Sequence, residues 1–214
     1  MVRTRVHLVR HGEVYNPDRV LYGRMSGFGL SERGRTMAAR VADTFAGRGA
    51  DIAYLAASPL QRAQETARPI GDAFGLRADT DGRLIEAVNH FEGSAIGKNP
   101  AVLLDPRHWP KLVNPLRPSW GEPYVDQAER MFAAIRDAKA QAAGREAILV
   151  SHQLPIWVVR RTLEGLSMLH DPRRRNCTLA SVTSLTFDGG TLVALDYEEP
   201  CRSLLPDASV AVLP

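Results

Sequence analysis

Two short apolar runs in this 214-residue chain each stop at a histidine. Val6-His7-Leu8-Val9 runs into Arg10-His11-Gly12-Glu13, and Ala147-Ile148-Leu149-Val150 runs into Ser151-His152-Gln153. Runs of this length, apolar at nearly every position, suit strands buried on both faces of a parallel sheet. Parallel neighbours need long crossovers, which are usually helices. The sequence between the two runs supplies them. Ser31 can cap a helix whose apolar positions Met37, Val41 and Phe45 recur at i+4. Residues 52–57 read as a strand. Ser58-Pro59-Leu60-Gln61 then reads as a capping box with proline at the first helical position, opening a helix striped by Leu60, Ala63, Ala67, Ile70 and Phe74.

Farther along, residues 78–80 form a short strand candidate. Val125, Ala128, Phe132 and Ile135 mark another amphipathic helix, and residues 154–166, with Pro155 near the start, mark a fourth. Residues 182–187 and 192–197 flank Asp188-Gly189-Gly190, a hairpin turn. Strands alternating with helices predict an α/β fold, a three-layer sandwich with a mainly parallel central sheet. Length and composition suit a single domain over residues 1–214, with 44% hydrophobic and 24% charged residues. Residues 93–122 interrupt the pattern with prolines, Trp109 and Trp120, and are expected to form a lid-like insertion.

Several function classes drop out early. The two cysteines, Cys177 and Cys201, form no CxxC and no His-Cys cluster, so neither a zinc site nor a disulfide framework is expected, and no cofactor is implied. The apolar run before Arg10 is too short for a signal peptide, and no stretch approaches the ~20 apolar residues of a membrane span. A cytoplasmic protein with no membrane partner is the expectation. The net charge of +3 is a mild bias toward anionic ligands. Arg173-Arg174-Arg175 is the one basic run. Without interleaved aromatics it reads as a solvated loop, and no nucleic-acid partner is expected.

In parallel α/β sheets ligands bind beyond the carboxyl ends of the strands. His11, Ser58 and His152 all fall at such ends, with Arg10 beside His11 and Arg62 one turn into the helix after Ser58. A helix start there adds partial positive charge. Cations and two imidazoles gathered at one edge suit a phosphoryl group.

The elements LVRHGE (8–13), SPLQRAQETA (58–67), RLIE (83–86) and VSHQ (150–153), in that order, resemble the histidine phosphatase superfamily, also called phosphoglycerate mutase-like. The resemblance implies that His11 is a nucleophile forming a phosphohistidine without a metal. It implies that Arg10, Arg62 and His152 hold the phosphoryl oxygens, that Gly12 allows the backbone near the phosphate, and that Asn16 donates to it. Glu86 would protonate the leaving oxygen and then activate water. The segment LIEAVNHFEG (84–93) is about one residue shorter than the family's usual spacing, which keeps Glu92 as the alternative acid. His7, inside the first strand, reads as a structural imidazole, His90 as a solvated one, and Glu13 and Arg83 as salt-bridging supports.

Within that family the expected activity is a phosphomonoesterase acting on a small phosphorylated metabolite, a sugar phosphate or phosphoglycerate-like acid. The insertion lacks the motifs by which the family's mutases shield the phosphohistidine, so a cofactor-dependent phosphoglycerate mutase is the alternative. A catalytically silent binding module and a nucleic-acid binder are more distant ones. Arg24, Lys98, Asn99, Arg107, His108, Lys111 and Arg117 are available for a second anionic group, and pairing into a homodimer is left open.

Overall fold

Strand β1 (Arg3–Arg10) is buried without a break from Val6 onward, as a strand covered on both faces must be. In the computed structural model, which describes residues 3–94, 121–168 and 175–205, β1 lies inside a six-stranded sheet. The other strands are β2 (Ile52–Ala57), β3 (Asp79–Thr80), β4 (Glu146–Ser151), β5 (Val182–Asp188) and β6 (Thr191–Glu198). Their order is β3-β2-β4-β1-β5-β6. The first four run parallel, while β5 is antiparallel to β1 and hairpins into β6 through the turn expected at Asp188.

Side-chain alternation along β1 and β4 separates two cores. Val9, Ile148 and Val150 pack beneath α1 (Glu32–Gly47) and α2 (Gln61–Phe74), against Met37, Phe45 and Ile70. Val6, Leu8, Ala147 and Leu149 face α3 (Tyr124–Ala142) and α4 (Gln153–Leu163), meeting Met131, Ile156 and Val159. The result is helix, sheet and helix in three layers, the α/β sandwich expected. Because β1, β2 and β4 are parallel, their carboxyl ends share one edge, and Arg10, Ala57 and Ser151 finish there. That edge is where His11, Ser58 and His152 emerge.

Some local expectations change. Ser31 does cap α1, accepting from the Gly34 amide. Ser58 does not cap α2. The helix starts three residues later, behind Leu60 and with no side-chain cap; the Ser58 hydroxyl meets His152 Nε2 at 2.8 Å and takes only a long contact, 3.4 Å, from the Leu60 amide. On α3 the buried face is Gln127, Met131, Ala134, Ile135 and Ala138, whereas Val125 is 66% exposed. Helix α4 begins at Gln153 and ends at Leu163, short of residue 166. The insertion expected at 93–122 lies almost wholly outside the described residues, with Lys98, Asn99, Arg107, His108, Trp109, Lys111, Arg117 and Trp120.

Candidate active site

His11 leaves the end of β1 fully enclosed, and its Nδ1 lies 2.8 Å from the carbonyl oxygen of Gly12. A carbonyl can only accept, so Nδ1 carries the proton and the lone pair sits on Nε2. Burial, followed by the charges of Arg62 and Arg10, holds the His11 pKa well below its ordinary value. The ring is therefore neutral at pH 7, with one nitrogen free to attack. The His152 ring lies 5.1 Å away, centre to centre. Its Nε2 meets the Ser58 hydroxyl at 2.8 Å, and burial again keeps it neutral. Its Nδ1 is buried with no hydrogen-bond partner.

Arg10 donates one guanidinium N–H to the Cys177 carbonyl at 2.6 Å, and Arg62 donates one to the Gly23 carbonyl at 2.5 Å. Tyr22 lies beneath Arg62, its ring centre 4.7 Å from the guanidinium carbon, and Phe28 stacks on Tyr22. These contacts hold both guanidinium groups in place, yet the Nε–H of each is buried without an acceptor. Desolvated donors left this way are costly, typically ~1–3 kcal/mol each. An anion at the site would satisfy them. Helices α2 and α4, which start beside Ser58 and His152, both lack a side-chain N-cap, so their first-turn amides add positive potential at the same edge.

Glu86 is the carboxylate of this cluster. It sits in the stretch after the short 3-10 turn Gly82–Leu84, is only 8% exposed, and accepts the Ala87 amide at 2.8 Å. Burial pushes its pKa up; the Ala87 N–H and the charges of Arg62, Arg10 and Arg175 pull it back only in part. Glu92 is placed differently. Its carboxylate accepts the Asn89 amide at 3.2 Å and lies directly over Gly23, where a Cβ would have to push it aside. Its contacts brace the loop beneath Arg62.

The remaining expectations divide. The Asn16 amide bonds twice to the Val20 backbone, so its polar groups serve their own loop. At Gly12 a Cβ would stand 2.6 Å from the Gly34 carbonyl oxygen. The close approach there is to α1. Arg24 does not present a free cation: it donates to the Glu86 carbonyl at 2.6 Å and pairs with Glu122. Glu13 pairs with Arg33 and Arg83 with Asp81 and Asp137, as support residues would. His7 is buried and His90 exposed. Of the basic run, residues 173 and 174 lie outside the described region. Arg175 is not a solvated loop residue; it is half-buried in the wall of the cleft beside Glu86. Tyr22 and Ser58 as partners of Arg62 and His152 were missed as well, because both contacts join segments far apart in sequence. Among the described residues no group of three His, Cys, Asp or Glu side chains is placed to hold a metal, and no helix is long and apolar enough to cross a membrane.

A family model described as the histidine phosphatase superfamily, branch 1, matches residues 6–200. The chain belongs to that superfamily. Among its relatives is Uncharacterized protein Rv0525 of Mycobacterium tuberculosis, 54% identical over 197 residues, covering 92% of this chain and 96% of the relative. The "Probable phosphoglycerate mutase GpmB" of Yersinia pestis is 36% identical over 188 residues, covering 83% and 84%. Among solved histidine phosphatase folds, the mycobacterial glucosyl-3-phosphoglycerate phosphatase Rv2419c with inorganic phosphate superposes with a TM-score of 0.68 at 25% identity, covering 90% of this chain and 95% of that one. The three-layer α/β sandwich is the phosphoglycerate mutase-like fold that the motif resemblance implied and that these solved structures share.

Proposed function

We propose that the protein is a cytoplasmic phosphomonoesterase that hydrolyses a small phosphorylated metabolite through a phosphohistidine on His11. One observation carries the reading. The nitrogen of His11 that holds the lone pair, Nε2, is free of the Gly12 hydrogen bond, beside an unpartnered His152 Nδ1 and two guanidinium groups with unpartnered Nε–H donors. In the first step the Nε2 lone pair forms the N–P bond while the bond from phosphorus to the leaving oxygen breaks. That electron pair goes to the oxygen, which takes the proton of Glu86. In the second step water attacks phosphorus, Glu86 takes its proton, and the N–P pair returns to His11. Arg10, Arg62 and His152 offset the charge on the equatorial oxygens throughout, which is the main protein contribution in phosphoryl transfer. The raised pKa of Glu86 suits a group that must carry a proton at the start and lose it later. Burial and position support Glu86 over Glu92 as the acid.

The step needs no metal, so hydrolysis of para-nitrophenyl phosphate should persist in a strong chelator, be inhibited by vanadate, and vanish in His11→Ala. Rapid quenching should trap an acid-labile, base-stable phosphoprotein in the wild type alone. Inactivation by the chelator would sink the reading. The relative named as a phosphoglycerate mutase favours a second one, return of the phosphoryl group to a bound phosphoglycerate. Label moving from 2,3-bisphosphoglycerate to 3-phosphoglycerate faster than to water would select it.

A further inference from the structure

Arg62 carries a charge that the fold buries and does not neutralise. It is 1% exposed, and among the described residues no carboxylate pairs with it: Glu86 bonds the Ala87 amide and Glu92 the Asn89 amide. Burial lowers the Arg62 pKa, and the two carboxylates oppose this only through space. One N–H goes to the Gly23 carbonyl, while the Nε–H is buried without an acceptor. A desolvated cation in this state is costly unless something compensates it. What lies against it is a ring, that of Tyr22, centred 4.7 Å from the guanidinium carbon.

A carboxylate and a ring compensate an arginine differently. A carboxylate takes in-plane N–H donors, often two at once, and would occupy the groups that phosphoryl oxygens need. A ring turns the negative face of its quadrupole to the flat face of the guanidinium and leaves the donors at the edge alone. Tyr22 is built for the second role. Its phenol keeps its proton, since burial raises its pKa against the pull of Arg10 and Arg62, so Arg62 meets a neutral ring. Phe28 stacks on that ring at 5.3 Å and 25°. The backbone is pinned on both sides: Leu21 bonds Gly93 and Ser94, and the Met25 amide donates to the Tyr22 carbonyl. Gly23, the next residue, holds the edge of the guanidinium while Tyr22 holds its face. The same ring is T-shaped to His11, centres 6.5 Å apart, so clamp and nucleophile share one neighbour.

Resting on the phosphohistidine reading, we infer that Tyr22 is a positioning residue: its ring stands in the place of a carboxylate beside Arg62, holding the guanidinium oriented and desolvated while keeping its N–H donors for the phosphoryl oxygens.

The test varies the ring face at position 22. Wild type, Tyr22→Phe, Tyr22→Leu and a variant carrying a trifluorinated phenylalanine there are compared in para-nitrophenyl phosphate hydrolysis and in vanadate inhibition. Tyr22→Phe keeps the face and should stay within about threefold of wild type. Tyr22→Leu should lose about tenfold to thirtyfold in kcat/KM, the value of a desolvated cation–π contact, with vanadate bound less tightly by a like factor. The fluorinated ring has nearly the shape of phenylalanine but a depleted face, so it should fold like Tyr22→Phe and lose activity like Tyr22→Leu. In an Arg62→Met background Tyr22→Leu should cost less than about twofold, because the group it acts through is gone. Activity in the fluorinated variant equal to that of Tyr22→Phe overturns the inference. So does a full Tyr22→Leu loss in the Arg62→Met background, or a Tyr22→Phe loss as large as that of Tyr22→Leu. If the wild type shows no turnover, the phosphatase reading has failed by itself. Calorimetric binding of vanadate to the same variants then decides the Tyr22 assignment by the same order, and a wild type that binds no vanadate overturns it too.

Discussion

His7 and His11 stand four residues apart on one strand, and each is 1% exposed. Burial lowers the pKa of both. What separates them is where their nitrogens point. In mid-strand, His7 Nε2 lies 2.7 Å from the Glu146 carboxylate on β4, and Nδ1 lies 2.8 Å from the Ser184 hydroxyl on β5. A carboxylate only accepts, so Nε2 carries the proton and the neutral ring takes its second bond from Ser184. His7 is thus a cross-link between three strands, with neither nitrogen left for chemistry. His11, past the last ladder pair of β1, spends one nitrogen on Gly12 and keeps the other. Burial is the same for both rings; what sets His11 apart is an unspent nitrogen beside guanidinium groups, the feature on which the proposed nucleophile role rests.

The comparison breaks most directly by removing each ring. His11→Ala should lower kcat for phosphate release by at least about 10⁴-fold, the loss typical of a nucleophile that acts as part of a unit. His7→Ala should keep kcat in whatever fraction stays folded. It should instead lower stability by about 2–4 kcal/mol, because the Glu146 and Ser184 groups lose their partner inside the sheet. Urea unfolding monitored by circular dichroism, run beside the assay, separates the two effects. Comparable catalytic losses in the two variants would erase the distinction.

Glu86→Gln is the next largest change. General acid help is worth roughly 10²–10⁴-fold where the leaving oxygen is a poor one. The loss should therefore be large for an alkyl phosphate and much smaller for para-nitrophenyl phosphate, whose phenolate leaves without a proton. Because burial raises the Glu86 pKa, wild-type activity limited by the first step should fall on the alkaline side as that proton is lost. The Gln variant should lack this limb. An equal loss on both substrates would move the acid role elsewhere, to Glu92 first.

The strand ends made the fold and most of the site legible. A strand buried on both faces, followed by Arg-His-Gly, fixes direction, layer and edge together, so Arg10, His11, Arg62 and His152 could be gathered without coordinates. What stayed hidden depended on partners distant in sequence. Ser58 satisfies the local pattern for a helix cap, and only the return of β4 beside β2 brings His152 to its hydroxyl. Arg175 looked like one cation of a run because nothing local records that it turns into the cleft beside Glu86. Val125 fits the helical period, yet the period fixes a stripe's spacing and leaves its rotation toward the core to tertiary packing.

Protonation offers a gentler way to set the three buried rings against one another. His7, His11 and His152 all have folded-state pKa values below 6.5, with burial the largest cause in each. Below about pH 6.5 the unfolded chain binds protons that the folded chain refuses, so stability falls with falling pH by up to about 1.4 kcal/mol per unit for each ring. Glu86 opposes this between its ordinary value of 4.5 and its higher folded value, where the folded state is the one that takes up a proton. Urea midpoints from pH 7.5 to 5.5 should therefore drop, and the slope should be shallower in His7→Ala by one ring's share. An unchanged slope in that variant would mean that His7 is protonated in the fold, paired as an ion with Glu146.

The smallest effect expected tests whether His152 is positioned or merely present. Its Nε2 is held at 2.8 Å by the Ser58 hydroxyl, which is itself fully buried. Ser58→Ala removes the hydrogen bond to His152 and a long contact from the Leu60 amide, leaving the ring in place but free to tilt. If His152 steadies the phosphoryl oxygens through Nδ1, that tilt should cost about fivefold to tenfold in kcat on top of a stability loss of about 1–3 kcal/mol from the stranded Nε2, and vanadate should bind the folded protein less tightly by a similar factor. Ser58→Thr keeps the hydroxyl and should recover most of the loss. Were Ser58→Ala to match wild type on both measures, the contact would be simple satisfaction of a buried imidazole, and His152 would stand with His7 rather than with His11.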